Sequence, residues 1–235
     1  MSLEALEQKV RKSVEMIKAR ALISNIIIGL SGGKDSLCLC ELAKMAGVKS
    51  PCYFNMEFLP GLRIQHDMLE YACQRFNINY DDILKVPSEH YIKSMHYSAY
   101  TWYSPKAKKT FPNCSRTDVF RSVAGRLKGT VITGVKKADG MMMTRMINNN
   151  RGVCLYPMAD WTLKDVFSFM EIRKIKIPEL TKKGCRGVGL EYGDLKFIAD
   201  NYPDDYEKIT SVFPFAPVIL KTVEYFNLHK SMRII

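Results

Sequence analysis

Ile26-Ile27-Ile28-Gly29-Leu30-Ser31-Gly32-Gly33-Lys34-Asp35-Ser36 is an apolar run that breaks into a small, charged, glycine-rich loop and then turns helical. Three β-branched isoleucines favour a buried strand, and the paired glycines permit backbone angles and close approaches that a Cβ forbids. Consecutive N–H groups in such a loop can curl into a nest, and the helix that follows aims its partial positive end at the same point. The guest that suits both is a phosphate. A plainer reading, a glycine turn that merely joins strand to helix, uses the same residues. The run is not a Walker loop, which needs Gly-x-x-x-x-Gly-Lys followed by Ser or Thr. Here Gly33-Lys34 is followed by Asp35, and the required first glycine falls on Ile28.

Outward from this stretch, the pattern alternates. Leu3, Leu6, Val10, Val14 and Ile17 recur at helical spacing and predict an amphipathic helix over 3–21. Its lysines and arginines read as a solvated face, with nucleic-acid contact as the other option. After the loop, a helix is expected from Ser36 to about Ala46, then strands at 52–56 and 83–86 around a helix from about 64 to 76. Arg116 to Leu127 reads as a helix and Thr130 to Val135 as a fourth strand, followed by a methionine- and asparagine-rich loop carrying Lys136, Lys137, Arg145 and Arg151. Loops of that length are commonly functional, and four cations suit an anionic substrate. Another strand follows near 153–157, a helix begins at Asp160 or Thr162, and two or three helices occupy 192–229. Strands alternating with helices predict an α/β fold, a parallel sheet wrapped on both faces, with ligands beyond the carboxyl ends of its strands. A boundary near 180 would separate a nucleotide-binding domain, 1–180, from a helical C-terminal extension, 181–235.

At 235 residues and 47% apolar content, the chain is long enough for one sizeable packed domain, which excludes a disordered or fibrous protein. The formal net charge of +11 favours a polyanionic partner, a description that covers both nucleic acid and ATP. Seven cysteines, at 38, 40, 52, 73, 114, 154 and 185, form no Cys-x-x-Cys, a pattern of reduced intracellular thiols. No stretch reaches the about 20 apolar residues of a membrane span, so a cytoplasmic location without a membrane partner is expected. Tyr97 to Asn113 interleaves aromatics and lysines, which serve single-stranded nucleic acid or pin a loop to a core. His66, His90 and His96 lack metal-site spacing and read as packing or surface histidines.

Ser31-Gly32-Gly33-Lys34-Asp35-Ser36 resembles the Ser-Gly-Gly-x-Asp-Ser signature of the PP-loop ATP pyrophosphatases. Two further stretches are similar to the PAPS (phosphoadenylylsulfate) reductase-like family, which includes DNA phosphorothioation ATP pyrophosphatases. Thr133-Gly134-Val135-Lys136-Lys137-x-Asp139 resembles its Thr-Gly-[Ile/Val]-Arg-Arg-x-[Glu/Asp] element, and Pro157-Met158-Ala159-Asp160-Trp161 with Asp165-Val166 its Pro-Ile-Ala-Asp-Trp-x-x-x-Asp-Val element. The resemblance implies a Rossmann-like sheet of the adenine nucleotide alpha hydrolase type. There are departures. The family's Asp-Thr-Gly is Asn55-Met56-Glu57, the arginine pair is Lys136-Lys137, and no Glu-Cys-Gly follows Cys185. Lysine cannot reproduce the two-pronged grip of a guanidinium on phosphate or sulfate.

The resemblance implies cleavage of ATP to AMP and pyrophosphate, adenylating a substrate for sulfur transfer, as in nucleic-acid sulfur modification. PAPS or APS reduction with thioredoxin, and a non-catalytic ATP-binding scaffold, are the alternatives. Ser31, Gly32, Gly33, Lys34, Asp35 and Ser36 would hold the terminal phosphates, with Asp35 on Mg²⁺. Asn55, Met56, Gly134 and Arg145 would complete the nucleotide site, and Lys136 and Lys137 would stabilise charge on the activated substrate. Cys185, beside Arg186, Lys182 and Lys183, would be the thiolate, since neighbouring cations lower a thiol pKa. No cysteine-only iron-sulfur cluster is expected. The implied partners are ATP or a sulfonucleotide, a nucleic acid, a cysteine desulfurase or other sulfur donor, and a second copy in a homodimer.

Overall fold

In the computed structural model, which describes residues 3–88, 92, 114–149, 152, 154–183 and 187–232, Ile26, Ile27 and Ile28 are fully buried. They belong to strand β1 (Asn25–Gly29), which follows helix α1 (Leu3–Ala21) and precedes α2 (Lys34–Met45). Next come β2 (Cys52–Glu57), α3 (Arg63–Phe76), β3 (Ile83–Pro87), α4 (Arg116–Leu127) and β4 (Gly129–Ile132). The chain continues through α5 (Met141–Asn148), β5 (Cys154–Leu155), α6 (Leu163–Ile172) and α7 (Glu179–Lys182), then α8 (Tyr192–Asn201), α9 (Pro203–Val212) and α10 (Ala216–Met232).

The five strands lie in the order β3-β2-β1-β4-β5. Ile27 is in register with Cys52 of β2 on one side and Val131 of β4 on the other, and Val131 with Cys154 of β5, all in parallel ladders. Parallel strands require crossovers, and here the crossovers run one way from β1 through β2 to β3, then return to the far side of β1 for β4 and β5. The order therefore reverses between β1 and β4, and such a switch point opens a crevice outside the strands' carboxyl ends. This is the expected α/β, Rossmann-like sheet flanked by helices.

The chain divides into two compact units, Met1–Met56 with Met68–Val86 and Arg116–Glu179, and Glu57–Asp67 with Pro87–Ser115 and Leu180–Ile235. In the first, α1 is fastened by a buried hydroxyl: Ser13 Oγ donates to Pro157 O at 2.7 Å and accepts from Trp161 Nε1 at 3.1 Å. Lys9 Nζ meets Asp165 Oδ2 at 2.7 Å, while Thr162 and Asp165 form the capping box that starts α6. Ser13→Ala leaves the buried Trp161 N–H and Pro157 carbonyl without this partner. It is expected to cost about 1–3 kcal/mol, read as a lower urea midpoint at unchanged slope; an unmoved midpoint would show that α1 does not depend on this contact. In the second unit, Asp205 accepts from the N–H groups of Arg63 and Ile64 at 3.0 and 2.8 Å, supplying the cap that α3 lacks locally. Phe58 stacks on Phe213 at 5.6 Å.

Three expectations are corrected. The fourth strand starts at Gly129 and stops at Ile132 rather than running from Thr130 to Val135, because its ladder with β1 runs only from Gly129 to Ile132 and its ladder with β5 ends at the same residue. The expected long loop is instead a 3₁₀ turn, Lys137–Asp139, followed by α5. Gly140 turns the chain at φ 129°, and a run of methionines with Arg145 has good helix propensity. Helix α2 also begins two residues earlier than expected, with extended Gly33 as its N-cap.

Candidate functional site

The loop between β1 and α2 is short and closed by its own side chains. Leu30 N–H donates to Phe54 O at 2.8 Å, and buried Asn55 donates its amide N–H to Leu30 O at 2.7 Å. Ser31 Oγ accepts from Gly33 N–H at 3.4 Å and donates to Ser36 Oγ at 3.3 Å, while Ser36 Oγ donates to Gly33 O at 2.9 Å. Gly32 sits at φ 73°, and a Cβ there would fall 2.0 Å from Met68 O. Gly33 is different: its Cβ would meet only Ser31 Oγ, at 3.4 Å. Gly32 thus lets the loop lie against α3, and Gly33 opens α2.

Lys34 and Asp35 fall in the first turn of α2. Asp35 Oδ2 contacts Lys136 Nζ at 2.8 Å and Lys34 Nζ at 3.3 Å, whereas Oδ1 is buried without a hydrogen-bond partner. Lys136 is itself buried, with Asp139 Oδ1 at 3.1 Å on its other side. Neither contact of that ammonium has hydrogen-bond alignment, so the three charges hold one another electrostatically. Gly134 brings the end of β4 onto Asp35, because a Cβ there would lie 3.0 Å from both the Cβ and the carbonyl oxygen of Asp35.

Beside this cluster is a cleft of about 240 Å³. Leu30, Met56, Phe54 and Phe120 give it an apolar wall, the two rings meeting edge to face at 6.0 Å. Ser31, Ser36, Asp35, Asp139, Thr133 and Arg116 supply its polar groups. Apolar wall and convergent polar groups are the make-up of a small-molecule site.

The sequence-predicted residues divide. Ser31, Asp35, Ser36, Met56 and Gly134 line the cleft. Asn55 is committed to Leu30 O, Lys136 is enclosed by carboxylates, and Arg145 is exposed on α5. Lys137 Nζ meets Asp160 Oδ1 at 2.7 Å, with Lys12 at 2.9 Å from Oδ2. Cys185 and Arg151 lie outside the described residues, as do His90, His96 and all of Tyr97–Asn113. Burial pushes the Cys154 thiol up to about 11 and raises Cys38 and Cys40, which keeps these three as unreactive thiols. Arg116, Phe120, Phe54 and Thr133 were not singled out for the site from sequence. Arg116 and Phe120 stand four apart on α4, a spacing that places them on one helix face.

The hydrogen bonds of Lys137, then of Lys12, hold the Asp160 carboxyl down at about 2, below its ordinary 3.8. A carboxylate with a depressed folded-state pKa contributes stability that is present above its unfolded pKa and lost as pH falls through the folded one. Asp160→Asn should therefore flatten the acid side of the stability curve between pH 3.8 and about 2. Identical curves for the variant and the parent would show the two ion pairs to be inert. The group is nearly half exposed, so solvent screening keeps the effect small.

Sheet order, glycine loop and cleft together define an α/β protein of the PP-loop superfamily, with the adenine nucleotide alpha hydrolase-like fold. Residues 25–192 match the phosphoadenosine phosphosulfate reductase domain, and the chain belongs to that family of enzymes. Among curated proteins nothing matches. Two solved structures with a TM-score of 0.50 or above share the fold. An NH3-dependent NAD synthetase from Campylobacter jejuni is 12% identical with a TM-score of 0.50, covering 92% of this chain and 94% of that one. A PAPS reductase from Candida auris is 11% identical with a TM-score of 0.51, covering 80% and 95%. A U34-tRNA thiolase from Methanococcus maripaludis is 16% identical at 0.49, covering 93% and 81%. Among the described residues no helix is long and apolar enough to cross a membrane, and no group of three His, Cys, Asp or Glu side chains could hold a metal ion.

Proposed function

We propose that the protein is an ATP pyrophosphatase that adenylates an acceptor for sulfur transfer. The observation that carries this reading is the Ser31–Ser36 loop, folded at the switch point with the N-terminus of α2 behind it and an apolar cleft beside it. In it, the loop amides and the positive end of α2 bind the terminal phosphates, with Lys34 adding charge. The apolar wall takes the base. An acceptor nucleophile attacks the α phosphorus, the bond to the α–β bridging oxygen breaks, and pyrophosphate leaves with that electron pair. The acceptor's proton passes to solvent.

Asp35 Oδ1, an orphaned carboxylate oxygen, with Asp139 nearby across Lys136, fits Mg²⁺, which takes one or two carboxylates and phosphate oxygens. When bound, the ion neutralises charge on the phosphates. Lys136 holds Asp35 in place at the edge of the cleft. Arg116, the cleft-lining cation among the described residues, faces the charge that develops at the α phosphate.

The net charge of +11 supports a nucleic-acid acceptor, with a cysteine desulfurase or similar protein supplying sulfur and Cys185 carrying it. Release of sulfite from PAPS or APS, with thioredoxin as reductant, is the second reading, favoured by the family's description. Incubation with ATP radiolabelled at the α phosphate, with and without DNA or tRNA, separates them. AMP and pyrophosphate are expected; ADP, or no turnover under any condition, sinks the proposal, and sulfite from PAPS establishes the reductase. Full activity in Cys185→Ser removes Cys185 from the chemistry.

A further inference from the structure

Two of the cleft-lining side chains carry a buried oxygen without a hydrogen-bond partner, Asp35 Oδ1 and Thr133 Oγ1. Asp35 is accounted for by its lysines and by the phosphate chemistry. Thr133 is not. Only 7% of it is exposed, and its backbone N–H already donates to Leu155 O at 3.2 Å, so the shortfall belongs to the hydroxyl alone. Valine has the same shape and would fill this strand end without leaving a polar atom unpaired. A buried hydroxyl with no protein partner is unfavourable unless something else bonds to it.

The surroundings say what that partner is. A Cβ on Gly29 would lie 3.3 Å from the Phe54 ring and 3.5 Å from the Thr133 methyl, so the methyl faces β1 and shares that glycine with the aromatic wall. The next residue, Gly134, packs on Asp35. Thr133 therefore stands between the apolar wall formed by Phe54 and Phe120 and the charged end at Asp35 and Ser31. In a nucleotide whose base lies on the wall and whose phosphates enter the loop, the sugar falls between.

We propose that Thr133 is a specificity-determining residue whose hydroxyl hydrogen-bonds a ribose hydroxyl of the bound nucleotide. This rests on the nucleotide reading above. The test measures binding of ATP, 2′-deoxyATP and 3′-deoxyATP to the full chain, to Thr133→Val and to Thr133→Ser, with thermal unfolding of each without ligand. Thr133→Val is expected to bind ATP about tenfold more weakly, the scale of one neutral hydrogen bond, and to melt no lower than the parent. Thr133→Ser keeps the hydroxyl and stays within about threefold of the parent for ATP. One deoxy analogue binds the parent as weakly as ATP binds Thr133→Val and loses nothing more on that substitution. Equal losses for all three nucleotides, or a lower melting temperature in Thr133→Val, overturn the assignment. If the unaltered chain binds no ATP, the nucleotide reading falls and the assignment with it. If it binds ATP and Thr133→Val binds it equally well, the sugar assignment alone falls.

Discussion

Gly32→Ala is expected to destabilise the protein by about 2–5 kcal/mol and to abolish nucleotide binding. Two costs combine. At φ 73° an L-residue with a Cβ pays about 1–2 kcal/mol in the left-handed region. The added carbon would also sit 2.0 Å from the Met68 carbonyl oxygen, and the other nearest atoms, Met68 C and Leu69 N, are backbone too. No side chain can swing aside, so the loop or the α3 backbone must move, at a cost in the range of about 1–3 kcal/mol found for overpacking. Either movement spoils the loop on which the phosphate reading depends. Gly33→Ala is the control. Gly33 has extended angles and open space apart from Ser31 Oγ, so the variant should unfold within about 1 kcal/mol of the parent. With the fold intact, any loss of ATP affinity in Gly33→Val reports on the ligand's space. Comparable losses of stability at Gly32 and Gly33 in denaturant titrations would contradict this loop geometry.

The β1–loop–α2 unit was legible because its signals are local: three β-branched residues, two glycines, then helix formers. Helix α1 was legible to its ends for the same reason, since its apolar spacing is unbroken over 3–21. Beyond Ile132 the local signal misled. Thr133 and Val135 have β propensity, but strand length is set by what lies alongside, and the ladders with β1 and β5 both end at Ile132. From sequence the methionine-rich stretch reads as a loop, because Gly140 and the asparagines at 148–150 punctuate it. Between those marks, the residues are good helix formers.

The site was legible at the loop and less so elsewhere, because the rest depends on contacts between distant positions. Nothing near Lys136 in the chain reveals that its ammonium will lie against Asp35, about a hundred residues earlier. From sequence, Lys136-Lys137 looks like an exposed pair for gripping an anion. In the fold, both lysines meet carboxylates, Lys136 with Asp35 and Asp139 and Lys137 with Asp160. Gly134 likewise looked like room for a ligand, yet the close approach it permits is that of the protein's own Asp35.

Lys136→Met should separate a brace from a substrate clamp. As a brace, the ammonium offsets two carboxylates, and its loss leaves Asp35 and Asp139 repelling each other at the mouth of the cleft. Removing one partner of a fully buried ion pair costs about 3–5 kcal/mol. Both carboxylates keep some contact with solvent, which lowers the expectation to about 1–3 kcal/mol. Turnover should fall with stability, by about a hundredfold, the scale of a misplacement of about 1 Å in a reacting array, and mostly in kcat. Adding Asp139→Asn removes one of the uncompensated charges. The double variant should therefore recover part of the lost stability, a coupling that a double-mutant cycle measures, while turnover stays low because Asp35 is still unheld. A lysine that gripped substrate from the surface would behave in the opposite way. Its loss would raise KM, leave the unfolding midpoint where it was, and show no coupling to Asp139. That pattern would return Lys136 to the substrate and leave Asp35 oriented by Lys34 alone.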